Sequence, residues 1–192
     1  KAFRVGHSIL VTLVIAGVRQ QRSYSIVKIT ETGNIVIAVK RQGKVSNALT
    51  HLAVGSVVEI SQVQGDFSLS SSQDSVLLLS SGSGITAIYS LLQQKIKKKA
   101  SQIDLIYFTR DDAFHTELQQ LSEQYSQFNY HHFNTLVQKQ HLNVELLEST
   151  VADFGQRQSY ACGAKGMMQS LNQIYQQLGI VNQLKQEYFQ VV

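Results

Sequence analysis

The chain contains no proline among its 192 residues. An average composition of roughly 5% would supply about ten. The commonest stiffener of loops is therefore missing. Cysteine occurs once, as Cys162. A lone cysteine excludes an intrachain disulfide, a four-cysteine zinc site and an iron–sulfur cluster ligated by this chain alone. Apolar runs such as 9–16 are broken by polar residues and fall far short of the ~20 residues a membrane span needs. No transmembrane segment is expected. There is neither an initiator Met nor a signal peptide, and the chain opens at Lys1-Ala2-Phe3, so it reads as a fragment or a processed chain. The single thiol and the missing export signal point to the cytoplasm.

What is present fits an ordinary globular protein. The chain is 43% apolar and 16% charged, with a formal net charge of +4. That composition excludes disorder. A chain of this length buries roughly 70% of the surface its unfolded form exposes, so it needs no disulfides.

Two rhythms divide the sequence. Up to about Leu69, short β runs alternate with turn residues: Ser8–Ile15, Ser23–Ile29, Asn34–Lys40 and Ser56–Val63. Strands at this spacing predict an antiparallel barrel or sandwich. A short helix is expected over Ser46–Leu52, with Ser46 as its N-cap. The polar stretch Ser68–Ser75 reads as a linker. Beyond it, strand and helix alternate. Val76-Leu77-Leu78-Leu79 and Ile103–Phe108 are continuous apolar runs, expected of strands buried on both faces. Helices are expected over Thr86–Lys98, over Asp111–Tyr125, where Asp111 and Asp112 suit the N-terminal dipole, briefly over Asn143–Glu148, and along the Met168, Leu171, Ile174, Tyr175, Leu178 stripe. Gly179 ends that last helix. Strands are expected at Phe128–Phe133 and Ser159–Cys162. Repeated β-α units imply a parallel sheet with right-handed crossovers.

Three constellations could carry chemistry. The turn Gly82-Ser83-Gly84-Ile85-Thr86 joins a strand to a helix. Glycines there let a backbone approach a phosphate at a helix N-terminus, or simply make a tight turn. Arg22-Ser23-Tyr24-Ser25 places Arg22 and Tyr24 on one strand face and Ser23 and Ser25 on the other. A cation beside an aromatic suits a phosphorylated planar ligand, and it also suits a plain surface Arg beside a half-buried Tyr. Ala161-Cys162-Gly163 through Met167-Met168 is a second glycine turn entering a helix. Its thiol lines a pocket or is a buried, inert cysteine.

Together these residues resemble the ferredoxin–NADP reductase superfamily. Arg22-Ser23-Tyr24-Ser25 matches its R-x-Y-S/T flavin motif, and Gln42-Gly43-Lys44-Val45-Ser46 resembles its G-G-x-x-S segment. Gly65-Asp66-Phe67 resembles the end of G-P-x-G-x-F, and Gly82–Thr86 resembles G-x-G-I/V-T-P. Tyr107-Phe108-Thr109-Arg110, followed by Phe114 and Glu117-Leu118, resembles Y-x-x-R…F…E-L. Tyr160-Ala161-Cys162-Gly163 with Met167-Met168 resembles Y-x-C-G-P…M-M. Phe3-Arg4-Val5-Gly6-His7 is similar to the F-x-P-G-Q strand. The set falls in family order across essentially the whole chain. Val5, Val63, Ala87 and Ala164 stand where the family usually has proline, and Gln42 and Gln62 where it has glycine. Looser turns on an intact fold are the expected consequence, bearing on flavin affinity and hydride geometry.

The resemblance implies an antiparallel β-barrel flavin domain over residues 1–72, lacking at least one early strand, and an α/β NAD(P)-binding domain over 73–192. It implies FAD and NADPH (or NADH) as cofactors and no metal in this chain. Arg22 would pair with FAD phosphate, Tyr24 would pack on the isoalloxazine, and Ser25 would hydrogen-bond near its N5. Gly43, Val45 and Ser46 would serve the pyrophosphate. Gly82, Gly84 and Thr86 would line the nicotinamide site and the inter-domain cleft, with Cys162, Gly163 and Met167 beside it. Ser25, Cys162 and Tyr24 are the implied catalytic residues. Thr109 and Arg110 would read the adenosine end: an Arg there pairs with a 2′-phosphate, whereas Asp111 or Asp112 would bind a free 2′-hydroxyl. The implied reaction is hydride transfer from nicotinamide to flavin, then electron delivery to a ferredoxin-type or other redox protein, in the service of an oxygenase or desaturase. A free flavin reductase, a flavohaemoglobin-like reductase module and a non-catalytic redox-sensing flavin subunit are the alternatives.

Other features are given plainer readings. His131 and His132 are adjacent on a strand and point to opposite faces, so they do not share a metal. Lys95, Lys97, Lys98 and Lys99 form a solvated helix end, able to steer an acidic electron carrier. No nucleic-acid motif accompanies them. Glu187-Tyr188-Phe189 places a terminal aromatic near the flavin or packs a last strand on the core.

Overall fold

The computed structural model describes residues 6–65, 67–69, 75–98, 101–138 and 140–188. Phe3-Arg4-Val5, Asp66, most of the expected linker (70–74), Lys99 and Phe189 lie outside the described residues. The chain divides into two compact units, with the break between Ser68 and Leu69.

The first unit is a four-stranded antiparallel half-barrel sheet, ordered β3-β2-β1-β4. β1 (Ser8–Ile15) and β2 (Val18–Ile29) form a hairpin around Ala16-Gly17. Both turn residues have positive φ, 49° and 77°, the backbone that a two-residue turn needs to match the strands' twist. β3 (Ile35–Ile37) and β4 (Glu59–Ile60) flank the hairpin. The register sets Ile9 opposite Tyr24 and Val11 opposite Arg22, so Arg22, Tyr24 and Ile26 share the face of Ile9 and Val11. That face is the core: Ile9, Val11 and Ile26 are buried, with Leu13, Tyr24, Ile37, Leu49 and Val58 against them. β3 and β4 are shorter than the apolar runs predicted, because only these residues find ladder partners.

α1 (Lys44–Thr50) begins two residues earlier than expected, with Gly43 at the N-cap. Ser46 caps from inside the first turn. Its hydroxyl accepts from the N–H groups of Gln42 and Gly43, each at 3.0 Å, which satisfies donors that a helix start leaves without intrahelical partners.

The second unit is an all-parallel, doubly wound sheet, ordered β7-β6-β5-β8-β9. Its strands are β5 (Ser75–Ser81), β6 (Gln102–Thr109), β7 (Phe128–Asn134), β8 (Gln158–Cys162) and β9 (Leu184–Glu187). The crossovers are α2 (Ile85–Lys97), α3 (His115–Gln124), α4 (Val144–Thr150) and α5 (Lys165–Gln177). Leu77, Leu79, Ile106, Phe108 and Ala161 face α4 and α5, where Leu147, Met168, Leu171 and Tyr175 close a continuous core. β5 and β6 are buried almost throughout, as their unbroken apolar runs require.

Two expectations fail here. Asp111 and Asp112 do not begin α3. The Asp111 N–H donates to Thr109 Oγ1 at 3.1 Å, and Asp111 Oδ1 accepts from the Ala113 N–H at 3.3 Å. This side-chain turn competes with helix, so α3 starts at His115, after Phe114 at φ 63°. Lys95 is not a solvated helix end: it is buried, while Lys97 and Lys98 are exposed.

Candidate functional site

The strand order reverses at β5, whose neighbours β6 and β8 lead to opposite halves of the sheet. Ligands of such sheets bind at this switch, outside the carboxyl ends of the strands. Ser80-Ser81 of β5 and Cys162 of β8 end there side by side. Beyond them lie a 3-10 turn at Gly82–Gly84 leading into α2, and Gly163-Ala164 leading into α5.

The two turns are locked together. Ser80 Oγ donates to the Cys162 carbonyl at 3.2 Å, and Ser81 Oγ accepts from the Ala164 N–H at 2.8 Å. A Cβ on Gly84 would collide with the Cys162 carbonyl, and one on Gly163 with Ser81 Oγ. Gly82 differs: φ is +51° and a Cβ there would meet open space. Thr86 Oγ1 donates to the Ser83 carbonyl at 3.0 Å, and Tyr107 Oη donates to the Gly82 carbonyl at 3.2 Å. The result is a rigid glycine shelf with its open side at Gly82, at a helix start that favours anionic charge. These residues fit a dinucleotide.

Cys162 is fully buried, and burial, followed by the charge of Glu187, pushes its thiol well above the usual range. Burial holds it towards the thiol form, the state of an unreactive buried cysteine. Glu187 is its register partner on β9, with its own carboxyl raised by burial. The sequence marks Glu187 only as a neighbour of terminal aromatics. Cross-strand register, which no local motif encodes, brings it to the thiol. Gly163 follows Cys162 directly, and Met167, which packs on the core, lies close to Gly163.

At the carboxyl end of β6, Thr109 is buried in its turn with Asp111, and Arg110 is exposed. Beside them lies a cluster that no local motif signalled. His115 Nδ1 is 3.1 Å from Tyr130 Oη. The His115 and His132 rings are 4.4 Å apart, and His132 also lies beside Tyr130 and Tyr107. His131 turns to the opposite face, with Nε2 3.0 Å from Asp104, as strand alternation requires.

In the first unit, Arg22 and Tyr24 share one face of β2. Burial raises the Tyr24 phenol, and the Arg22 charge opposes that rise, so cation and aromatic act on each other. Arg22 Nη1 donates to the Gln21 carbonyl at 2.7 Å. Ser25 lies buried on the other face. Val45 is the buried anchor of α1, and the Ser46 hydroxyl is engaged in its own turn. Gly43 faces open space. A cation, a half-buried phenol and an open glycine at a helix start fit a phosphorylated flavin.

Comparison with known proteins agrees with this geometry. The family models described as oxidoreductase FAD-binding domain and oxidoreductase NAD-binding domain match residues 2–69 and 78–173. A flavohemoprotein of Pseudomonas putida is 34% identical over 113 residues, 57% of this chain and 29% of its own. A glycine betaine monooxygenase reductase subunit of Chromohalobacter salexigens is 29% identical over 196 residues, 92% of this chain and 53% of its own. The solved structure of phthalate dioxygenase reductase superposes with a TM-score of 0.75 at 25% identity, covering 97% of this chain and 58% of that one. The chain thus spans between about a third and somewhat over half of these relatives. Fold and site define an FAD- and NAD(P)-dependent oxidoreductase module. The chain belongs to the ferredoxin–NADP reductase superfamily. Among the described residues, no helix is long and apolar enough to cross a membrane.

Proposed function

We propose that this module takes electrons from NADPH and delivers them to an iron–sulfur acceptor of the ferredoxin type, on another protein or another part of the polypeptide, serving an oxygenase or desaturase. The observation that carries this reading is the glycine shelf at the switch point, open at Gly82 and closed at Gly84 by the Cys162 carbonyl. When bound, the flavin supplies the change from paired-electron to single-electron chemistry.

The residues position and do not react. Gly82, Gly84 and Thr86 hold the dinucleotide, with Cys162, Gly163 and Met167 forming the wall beside it. Arg22 neutralises flavin phosphate, Gly43, Val45 and Ser46 present the start of α1 to it, and Tyr24 and Ser25 orient the ring. Support for the acceptor comes from relatives. The phthalate dioxygenase reductase structure is described as a modular structure for electron transfer from pyridine nucleotides to [2Fe-2S], and the Chromohalobacter relative is a monooxygenase reductase subunit. This chain's one cysteine ligates no such cluster.

Arg110 is the proposed reader of a 2′-phosphate, making NADPH the preferred donor. Arg110→Ala should lower kcat/KM for NADPH about tenfold and leave NADH nearly unchanged. Equal losses with both cofactors would remove the phosphate role. A second reading, a flavohaemoglobin-like reductase module, is favoured by the flavohemoprotein match at 34% identity. Acceptor assays separate the two: faster reduction of a [2Fe–2S] ferredoxin than of a haem domain supports the first, and the reverse order supports the second.

A further inference from the structure

We propose that the His115–His132 imidazole pair is a proton switch governing how strongly the neighbouring Arg110 turn prefers a phosphorylated dinucleotide, an inference that rests on the reading of Arg110 above. The pair belongs to the same edge of the sheet. The His115 N–H donates to the Asp112 carbonyl at 3.0 Å, tying α3 to the Arg110-Asp111-Asp112 turn. His132 lies beside Tyr107, whose hydroxyl holds the Gly82 carbonyl. The cluster therefore touches both the turn that carries Arg110 and the glycine shelf.

The groups facing the pair are Tyr107 from β6, Tyr130 from β7 and Asp112 from the turn. Rings 4.4 Å apart do not both carry a proton, because like charges at that separation oppose each other's ionisation. The pair takes up one proton. His132 Nε2 is buried with no hydrogen-bond partner. Burial, followed by His115, disfavours charge on His132. His115, whose Nδ1 is 3.1 Å from the Tyr130 hydroxyl, is the other ring of the pair. The turn holds one guanidinium against two carboxylates, so it is net negative while the pair is neutral. One added proton brings the edge to neutrality and removes the repulsion of a 2′-phosphate. A free 2′-hydroxyl gains nothing.

The test uses the flavin-loaded chain, with NADP⁺ and NAD⁺ as probes, titrated calorimetrically from about pH 5.5 to 8.5. The phosphate's own ionisation affects wild type and His115→Gln alike, so their ratio isolates the pair. The NADP⁺ over NAD⁺ preference of wild type, relative to His115→Gln, should fall at least about fivefold as pH rises across this range. By reciprocity, NADP⁺ but not NAD⁺ should raise the pH midpoint of the imidazole signals in NMR of the unmutated protein. Parallel preferences in the two proteins, or a midpoint that NADP⁺ leaves unmoved, overturn the switch. Arg110→Ala separates the layers. If it loses the NADP⁺ preference while wild type and His115→Gln stay parallel, the switch alone falls. If it keeps the preference, the reading of Arg110 falls and the switch with it.

Discussion

Gly82 and Gly84 stand two residues apart and answer opposite demands. Gly84 is glycine because the Cys162 carbonyl fills the place of its Cβ. Gly82 is glycine because its φ of +51° is one that side chains rarely adopt and because, in the proposed reading, its open side faces the dinucleotide. Gly84→Ala should therefore cost about 3 kcal/mol of stability, the upper end of overpacking against backbone that cannot yield. Gly82→Ala should cost only about 1 kcal/mol, the left-handed penalty, yet weaken NADP⁺ binding at least about tenfold. Thermal melting and calorimetry on the two variants check this. Equal stability losses, or unchanged affinity in Gly82→Ala, would contradict it. Residue identity made these turns legible from sequence, since glycine at a strand end has few uses. It did not show which glycine is packed and which is open.

At the scale of elements, the sheet of the second unit was legible wherever burial is two-sided. The runs 76–79 and 103–108 could only be central strands. The half-barrel was less so, since β3 and β4 are cut short by where ladder partners lie, not by their own residues. The start of α3 was misplaced because the Thr109–Asp111 side-chain turn outweighs the dipole preference of two carboxylates. Glu187 beside Cys162, and the His115, Tyr130, His132 cluster, depend on register between distant strands. The same holds for Asp104 of β6, which accepts from Asn129, His131 and Arg157, the last also paired with Asp153. Burial would raise this carboxyl, but those hydrogen bonds and the Arg157 charge hold it at about 2 instead of 3.8. The folded value lies below the unfolded one, so its stabilisation, about 2 kcal/mol, is fully present above the unfolded value and fades as pH falls towards 2. Asp104→Asn should cost about 3 kcal/mol at pH 7 by stranding part of the Arg157 charge. Its deficit should shrink below about pH 4. Urea midpoints at the two pH values measure it, and a deficit independent of pH would refute the role.

For the whole molecule, the missing prolines matter most at the turns proposed to hold cofactors. Ala87 and Ala164 stand at family proline positions, yet both adjoin the locked shelf. There the Ser81 hydroxyl and the Cys162 carbonyl supply rigidity that a fixed φ would otherwise give. The shelf proposed for the dinucleotide is thus held by hydrogen bonds in place of prolines. The most direct measurement is the visible spectrum of purified protein, loaded with FAD and mixed with NADPH without oxygen. The expected result is a yellow protein whose band near ~450 nm bleaches on mixing and recovers when an oxidised [2Fe–2S] ferredoxin is added. A preparation that FAD cannot colour, or a band that NADPH leaves untouched, would contradict it.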